Sequence, residues 1–407
     1  MGARSEDIDG ASAWFRLGVC VLLGTLGSVG MWSIVVVLPL VQTEFGVDRA
    51  DASLPYTLTM VGFAVGNVAI GRIVDRMGVV LPVALAAVGL GIGFVLAGFS
   101  GAIWQLAILQ GLIGFGASAT FGPLIADLSH WFRRHRGIAV AAAASGNYLA
   151  GAVWPLGMQL FLPDEGWRAT YVGIGILCVA AMVPLCLLLR RPPPEGAYAP
   201  GSGSAGDSGA VRSIDLSPRA LQGLLVLAGF ACCVAMSMPQ VHIVAYCADL
   251  GYGVARGSDM LSLMLAAGVA SRLLSGFLAD RIGAVLTLLI GSVLQGLSLL
   301  LYIPFDGLAS LYLVSFIFGL SQGGIIPSYA IIVREYLPAK EAGERVGIVI
   351  MATIAGMAVG GWLSGMIYDL TGSYSVAFLN GFAWNVLNAG IVVLLLWRTR
   401  TVRTVAA

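Results

Sequence analysis

A single arginine, Arg272, stands in the run from Met260 to Ala279, whose other residues are all apolar or small. A guanidinium stays charged at any physiological pH, and a charge at bilayer depth costs at least about 2.5–3.5 kcal/mol. The side chain therefore has one of three roles: it meets an anion, it caps carbonyls inside a helix bundle, or it snorkels to the interface. Its planar pairs of donors match a carboxylate, so a bound organic anion is the chemistry this residue type serves best. The small neighbours Gly268, Ser271 and Ser275 leave room beside it. Other polar side chains in apolar runs are Gln322, Tyr329, Tyr148, Asn67, Gln240, Asn147 and His242. His242 is the one histidine in such a run, and as a group that titrates near neutrality it is a candidate carrier of a coupled proton. For each of these, packing or interhelical hydrogen bonding is the alternative role.

The elements that must position these groups are membrane spans. The chain is 58% hydrophobic and 11% charged, against about 45–50% apolar and about 25% charged in soluble proteins. Twelve apolar runs are long enough to cross about 30 Å of hydrocarbon as helices. They are centred within 17–41, 54–74, 79–99, 103–126, 137–160, 168–189, 220–246, 258–279, 283–303, 308–333, 346–368 and 375–397. Of the 22 Lys and Arg residues, only Arg49, Arg168 and Arg256 fall in odd-numbered loops and only Arg272 within a span. That bias places both termini in the cytoplasm, in an integral plasma (inner) membrane protein whose first span is retained. Arg272 precedes Asp280 by eight residues and so lies ~12 Å inside the cytoplasmic edge.

The halves of the chain echo each other. Gly71-Arg72-Ile73-Val74-Asp75-Arg76-Met77-Gly78 follows span two, and Gly276-Phe277-Leu278-Ala279-Asp280-Arg281-Ile282-Gly283 follows span eight. Pro123 and Pro327, and Trp131 and Tyr336, keep nearly the same offset, which makes Asn67 the counterpart of Arg272. A repeat in the same membrane orientation marks two parallel six-helix halves. The expected division is 1–190, a Pro- and Gly/Ser-rich cytoplasmic linker at 191–217, and 218–407. The linker's Gly206-Asp207-Ser208-Gly209 resembles a protease nucleophile loop, but no histidine scaffold accompanies it.

The repeated Gly-x-x-x-Asp-Arg-x-Gly element resembles the signature loop of the major facilitator superfamily, and the resemblance covers essentially the whole chain. It implies an all-α membrane protein of twelve helices that works by alternating access. It also implies a conformational latch formed by Gly71, Asp75, Arg76, Gly78, Gly276, Asp280, Arg281 and Gly283, with Arg76 placed to pair with Asp127 at the inner end of span four. Trp131-Phe132-Arg133-Arg134-His135-Arg136-Gly137, and Glu44-Phe45-Gly46 after span one, are similar to monocarboxylate and oxalate/formate porters. In those porters an arginine at the place of Arg272 receives the substrate carboxylate. The resemblance implies that Tyr329, Gln322, Asn67, Tyr148 and His242 line the same cavity. The acidic-Gly aromatic signature of those porters is missing from span one.

The sequence therefore predicts a secondary transporter of a small organic anion, a monocarboxylate above all, with a coupled proton or an exchanged anion, working as a monomer in the lipid bilayer. The rivals are a multidrug or metabolite exporter of the same fold and a non-transporting sensor. A net charge of +1 with no basic stripe argues against nucleic acid as a partner. The six cysteines fall in apolar runs without metal or disulfide spacing, so no metal or other cofactor is expected. No nucleophile–base pair points to an enzyme.

Overall fold

The computed structural model describes residues 8–191, 214–338 and 341–405. Most of the expected linker, including Gly206-Asp207-Ser208-Gly209, lies outside them. The described residues are helical without a strand, as a chain that must satisfy every backbone group inside lipid requires. Twelve helices are long and apolar enough to span a membrane. The first six are Ala11–Phe45, Arg49–Met77, Val80–Gly98, Ile103–Leu128, Gly137–Gln159 and Leu162–Leu187. The second six are Pro218–Asp249, Gly253–Ile282, Ala284–Leu301, Leu308–Tyr336, Ala342–Thr371 and Tyr374–Thr399. Below they are spans one to twelve.

The described residues divide into two compact units. One gathers Met1–Val37 with Leu58–Gly209, and the other gathers Leu38–Thr57 with Ala210–Ala407. The end of span one and the start of span two thus pack with the helices of the second half. Thr57 Oγ1 donates to the carbonyl of Ala358 there at 3.1 Å.

Within each unit, small residues set the helix spacing. A methyl group added at Gly114 of span four would stand 2.1 Å from the carbonyl oxygen of Thr59 on span two, and one added at Gly319 of span ten would stand 2.1 Å from that of Met264 on span eight. Backbones approach this closely because lipid supplies no hydrophobic drive between helices, and contact area must do the work instead.

Spans four and ten are both interrupted. Span four runs Ile103–Ser118 and then Gly122–Leu128; span ten runs Leu308–Gln322 and then Ile325–Tyr336. Each break lies one turn before a proline, Pro123 or Pro327, which cannot donate to the carbonyl four residues back. Ahead of Pro123 the chain tightens into i→i+3 bonds, from Ala119 N to Gly116 O, Thr120 N to Ala117 O and Phe121 N to Ser118 O. Gly78 and Gly283, which close the two copies of the loop signature, have φ of 77° and 92°, a region side chains avoid.

Gly319→Ala is expected to lower the thermal unfolding midpoint of the detergent-purified protein, by overpacking worth about 1–3 kcal/mol. Gly173→Ala, where an added methyl group meets nothing within 4 Å, is expected to leave the midpoint unchanged or raise it. Equal effects at both positions would show that the spans do not depend on this approach.

Candidate functional site

Arg272 is buried on span eight, and its Nε donates to the carbonyl of Gly323 at 3.2 Å. That carbonyl is the one Pro327 leaves without a helical donor, since Gly323 stands four residues before the proline. The guanidinium thus fills the gap in span ten. Gly323 has to be glycine to do this: a side chain there would stand 2.2 Å from the carbonyl oxygen of Gly268 and 2.9 Å from the backbone nitrogen of Arg272. Ser271 Oγ donates to the carbonyl of Leu320 at 2.6 Å and fixes the same crossing. The carbonyl-capping role weighed from the sequence is therefore real. From Met260 to Ala279 and from Leu308 to Arg334, spans eight and ten carry no acid.

Asn67, the counterpart on span two, answers the break in span four with the opposite polarity. Its Oδ1 accepts from Gly122 N at 3.3 Å, and its Nδ2 donates to Phe63 O at 2.9 Å. Gln322, at the end of the first piece of span ten, accepts from Gln240 Nε2 of span seven at 2.7 Å. Both amides are buried, and Gln240 Oε1 and Gln322 Nε2 have no hydrogen-bond partner. Tyr329 is fully buried, and its hydroxyl donates to Asn388 Oδ1 of span twelve at 2.6 Å. Asn388 Nδ2 in turn donates to Ser292 Oγ of span nine at 2.8 Å. Tyr329 thus belongs to a network reaching spans nine and twelve. In the first unit Tyr148 is buried on span five, next to Asn147, whose carbonyl and side-chain oxygens receive Trp32 Nε1 at 3.0 and 3.1 Å.

At the face that carries the termini, one expected pairing is corrected. Asp127 meets Arg16, with Oδ2 at 2.7 Å from Nη2 and 2.8 Å from Nε; no ion pair joins it to Arg76 among the described residues. Arg16 also donates to the carbonyls of Leu189 and Arg191 at 3.1 and 3.2 Å and lies 4.6 Å from the Trp131 ring. The reason lies in helix geometry: Arg16 falls on the inward stripe of span one, with Ala13, Leu17 and Cys20, so its head is delivered to Asp127 from inside the unit. Extending the apolar period of span one back by one turn places Arg16 on the inward stripe but does not name its partner. Of the signature loops, Asp75 and Arg76 lie in the last turn of span two and Asp280 and Arg281 in the last turn of span eight, where Arg281 stacks 4.2 Å from the Phe277 ring. An added side chain at Gly71 or Gly276 would meet nothing within 4 Å. Ahead of span five, the Asp9 carboxylate accepts the main-chain N–H groups of Arg133, Arg134 and His135 at 3.2, 2.9 and 3.1 Å. Burial alone would raise its pKa, but these three donors hold it below the ordinary carboxylate value.

At the end of span seven the second unit contains a cluster that no sequence pattern singled out. Arg49, treated there as a loop charge, opens span two and is buried. Its Nη2 meets both oxygens of Asp249 at 3.0 and 3.1 Å, its Nη1 donates to the Tyr374 hydroxyl, and its head lies 4.7 Å from the Tyr368 ring. Asp369 accepts the main-chain N–H groups of Arg49 and Ala50 at 2.8 and 2.7 Å, capping span two from span eleven. His242 lies beneath, fully buried, with Nε2 2.7 Å from the Gly361 carbonyl and Nδ1 3.2 Å from the Tyr374 hydroxyl. It does not meet Arg272; its neighbours are those of the Arg49 cluster.

The comparisons agree with this architecture. The model of the Major Facilitator Superfamily matches residues 20–283 and 225–406. Monocarboxylate transporter 13 of Bos taurus is 25% identical over 97% of this chain and 92% of its own length. The MFS-type transporter pynF of Aspergillus niger is 25% identical over 82% of this chain and 76% of its own length. A solved bacterial homologue of the human lysosomal transporter Spinster superposes with a TM-score of 0.73 at 15% identity, over 96% of this chain and 98% of that one, which speaks for the fold alone. A twelve-span helical chain with a duplicated signature loop, matched by the family model along nearly its full length, is a member of the major facilitator superfamily.

Proposed function

We propose that this transporter moves a small organic anion, a monocarboxylate above all, by alternating access, with Arg272 receiving the carboxylate. The observation that carries the reading is a guanidinium buried beside the break in span ten, against the small residues Gly268, Ser271 and Gly323. Its planar pairs of donors match an arriving carboxylate. The name of one relative, monocarboxylate transporter 13, supports the same class. The half-satisfied amides Gln240 and Gln322 leave one acceptor and one donor for a polar group of the substrate, and Asn67 and Tyr148 are proposed to line the path from the first half. The positive-inside bias supports cytoplasmic termini in the plasma membrane. Asp75 and Asp280, with the arginines and glycines of their loops, are proposed to favour one of the two transport states.

Arg272 carries a structural bond as well as the proposed ligand, so the two roles need separate variants. Arg272→Ala leaves the Gly323 carbonyl bare, at about 1–3 kcal/mol, and is expected to lower both stability and flux. Arg272→Gln keeps a donor and loses the charge; it is expected to keep near-native thermal stability while losing carboxylate uptake into proteoliposomes and the thermal shift that carboxylates induce. An undiminished carboxylate-induced shift in Arg272→Gln would exclude the arginine as the anion site.

Substrate charge follows from the count of cations. Span eleven from Val346 to Trp362 contains no Lys or Arg, so a dianion on Arg272 keeps an uncompensated charge. Monocarboxylates are expected to bind at least about tenfold more tightly than dicarboxylates of similar size, or ~1.4 kcal/mol. Competition at a pH where both are ionised measures this, and a preference for oxalate over lactate would contradict it.

Asp75→Asn and Asp280→Asn are expected to shift the resting distribution between the two states. Cysteine accessibility from each membrane side reads this, and unchanged accessibility in both variants would reduce the loops to topology signals.

A further inference from the structure

The hydrogen bonds that join His242 to Arg49 have only one consistent set of directions. The Gly361 carbonyl can only accept, so His242 Nε2 carries the ring's hydrogen and the neutral ring presents a bare Nδ1. The Tyr374 hydroxyl donates its one hydrogen to that nitrogen, and its oxygen accepts from Arg49 Nη1. The order is guanidinium, hydroxyl, imidazole, carbonyl, with each donor facing an acceptor. Arg49 is at the same time bound to Asp249, and its backbone to Asp369. Together these bonds form a clasp that ties the segment Leu38–Thr57 to spans seven, eleven and twelve. That segment is chemically continuous at both ends with the first half of the chain.

A proton added to Nδ1 breaks this order. Two hydrogens then face each other between Tyr374 and His242, and the hydroxyl has to turn its own away. An imidazolium and a guanidinium are left to share one oxygen in a buried setting, where like charges repel strongly. The other groups around the ring do not relieve the conflict. On span seven these are Tyr246 and Asp249, with both Asp249 oxygens already held by Arg49. On span eleven they are Tyr368 and Asp369, the latter bound to main-chain N–H groups, and on span twelve Tyr374 itself. The closed clasp therefore disfavours the protonated ring, and by linkage a proton favours the open clasp.

We propose that His242 is a proton-binding site whose occupation releases the Arg49 clasp, so that acid frees the segment Leu38–Thr57 from spans seven, eleven and twelve. This rests on the alternating-access reading but not on the identity of the carried anion. The six native cysteines are all buried, so exposed introduced cysteines take a label selectively. Spin labels at Thr43→Cys and Leu250→Cys, both exposed positions at this face, report the distance between the two sides of the clasp in the full chain without any substrate. From about pH 8 to about pH 4.5, on either side of the ordinary imidazole value, the long-distance fraction is expected to rise, its ratio to the short one by up to about tenfold per pH unit. His242→Gln retains a donor for Gly361 and an acceptor for Tyr374 without titrating, and is expected to stay closed at all pH values; His242→Phe replaces it if that variant does not fold. A pH-independent distance in the parent chain would overturn the proposal. So would acidic opening that persists without His242, which would assign the effect to Asp249 or Asp369. Because the reading uses no carboxylate, failure of the monocarboxylate assignment would leave this result standing.

Discussion

Pro327 has no N–H to offer the carbonyl of Gly323, and at membrane depth no water replaces it. The second unit is organised around that gap. Arg272 reaches across from span eight to fill it, which requires that span ten approach closely, and the approach is possible only because Gly319 and Gly323 place backbone against the backbone of Met264 and Gly268. In the first unit Asn67 stands at the place of the arginine and meets the break before Pro123 differently, accepting from the N–H of Gly122. Duplication has kept the break and changed the charge of the group that serves it.

The buried arginines differ according to what neutralises them. Arg16, near the face that carries the termini, has Asp127; Arg49, at the opposite face, has Asp249. Both arginines are buried, and further bonds hold each ion pair, to the Leu189 and Arg191 carbonyls for Arg16 and to the Tyr374 hydroxyl for Arg49. Arg272 lies deeper, on a span without an acid between Asp259 and Asp280. It donates to main chain, the Gly323 carbonyl of span ten, where Arg16 and Arg49 each meet a carboxylate.

The interior of the second unit is unusually polar for a helix bundle in lipid. Tyr329, Asn388 and Ser292 form a connected line through spans ten, twelve and nine, and Asn385 Nδ2 donates to the Ser292 carbonyl at 2.8 Å. Such bonds add modest stability individually, but each has a direction, so they fix the rotation of one helix against its neighbour. The His242 and Tyr374 pair extends the same device towards Arg49, each of its hydrogen bonds again having one direction.

Twelve apolar runs, a duplicated Asp-Arg loop and a lone arginine in a span were enough to determine the fold class and to single out Arg272, because lipid leaves a polypeptide few ways to satisfy its backbone and few excuses for a charge. Pro123 and Pro327 were legible as equivalent positions of the two halves, and the breaks in spans four and ten lie just before them. What the linear chain could not decide was which partner each polar head would meet. Arg76 and Arg16 are both basic and both flank apolar runs, and only the rotation of span one about its axis gave Asp127 to Arg16. Arg49 reads as a loop charge between Asp48 and Asp51 until span two is seen to begin with it, its head turned towards Asp249 two hundred residues away. Tyr329 and His242 were legible as polar residues in spans, but whether they face the arginine depends on the angle at which helices cross. That angle is set by where glycines let backbones touch and not by any local pattern.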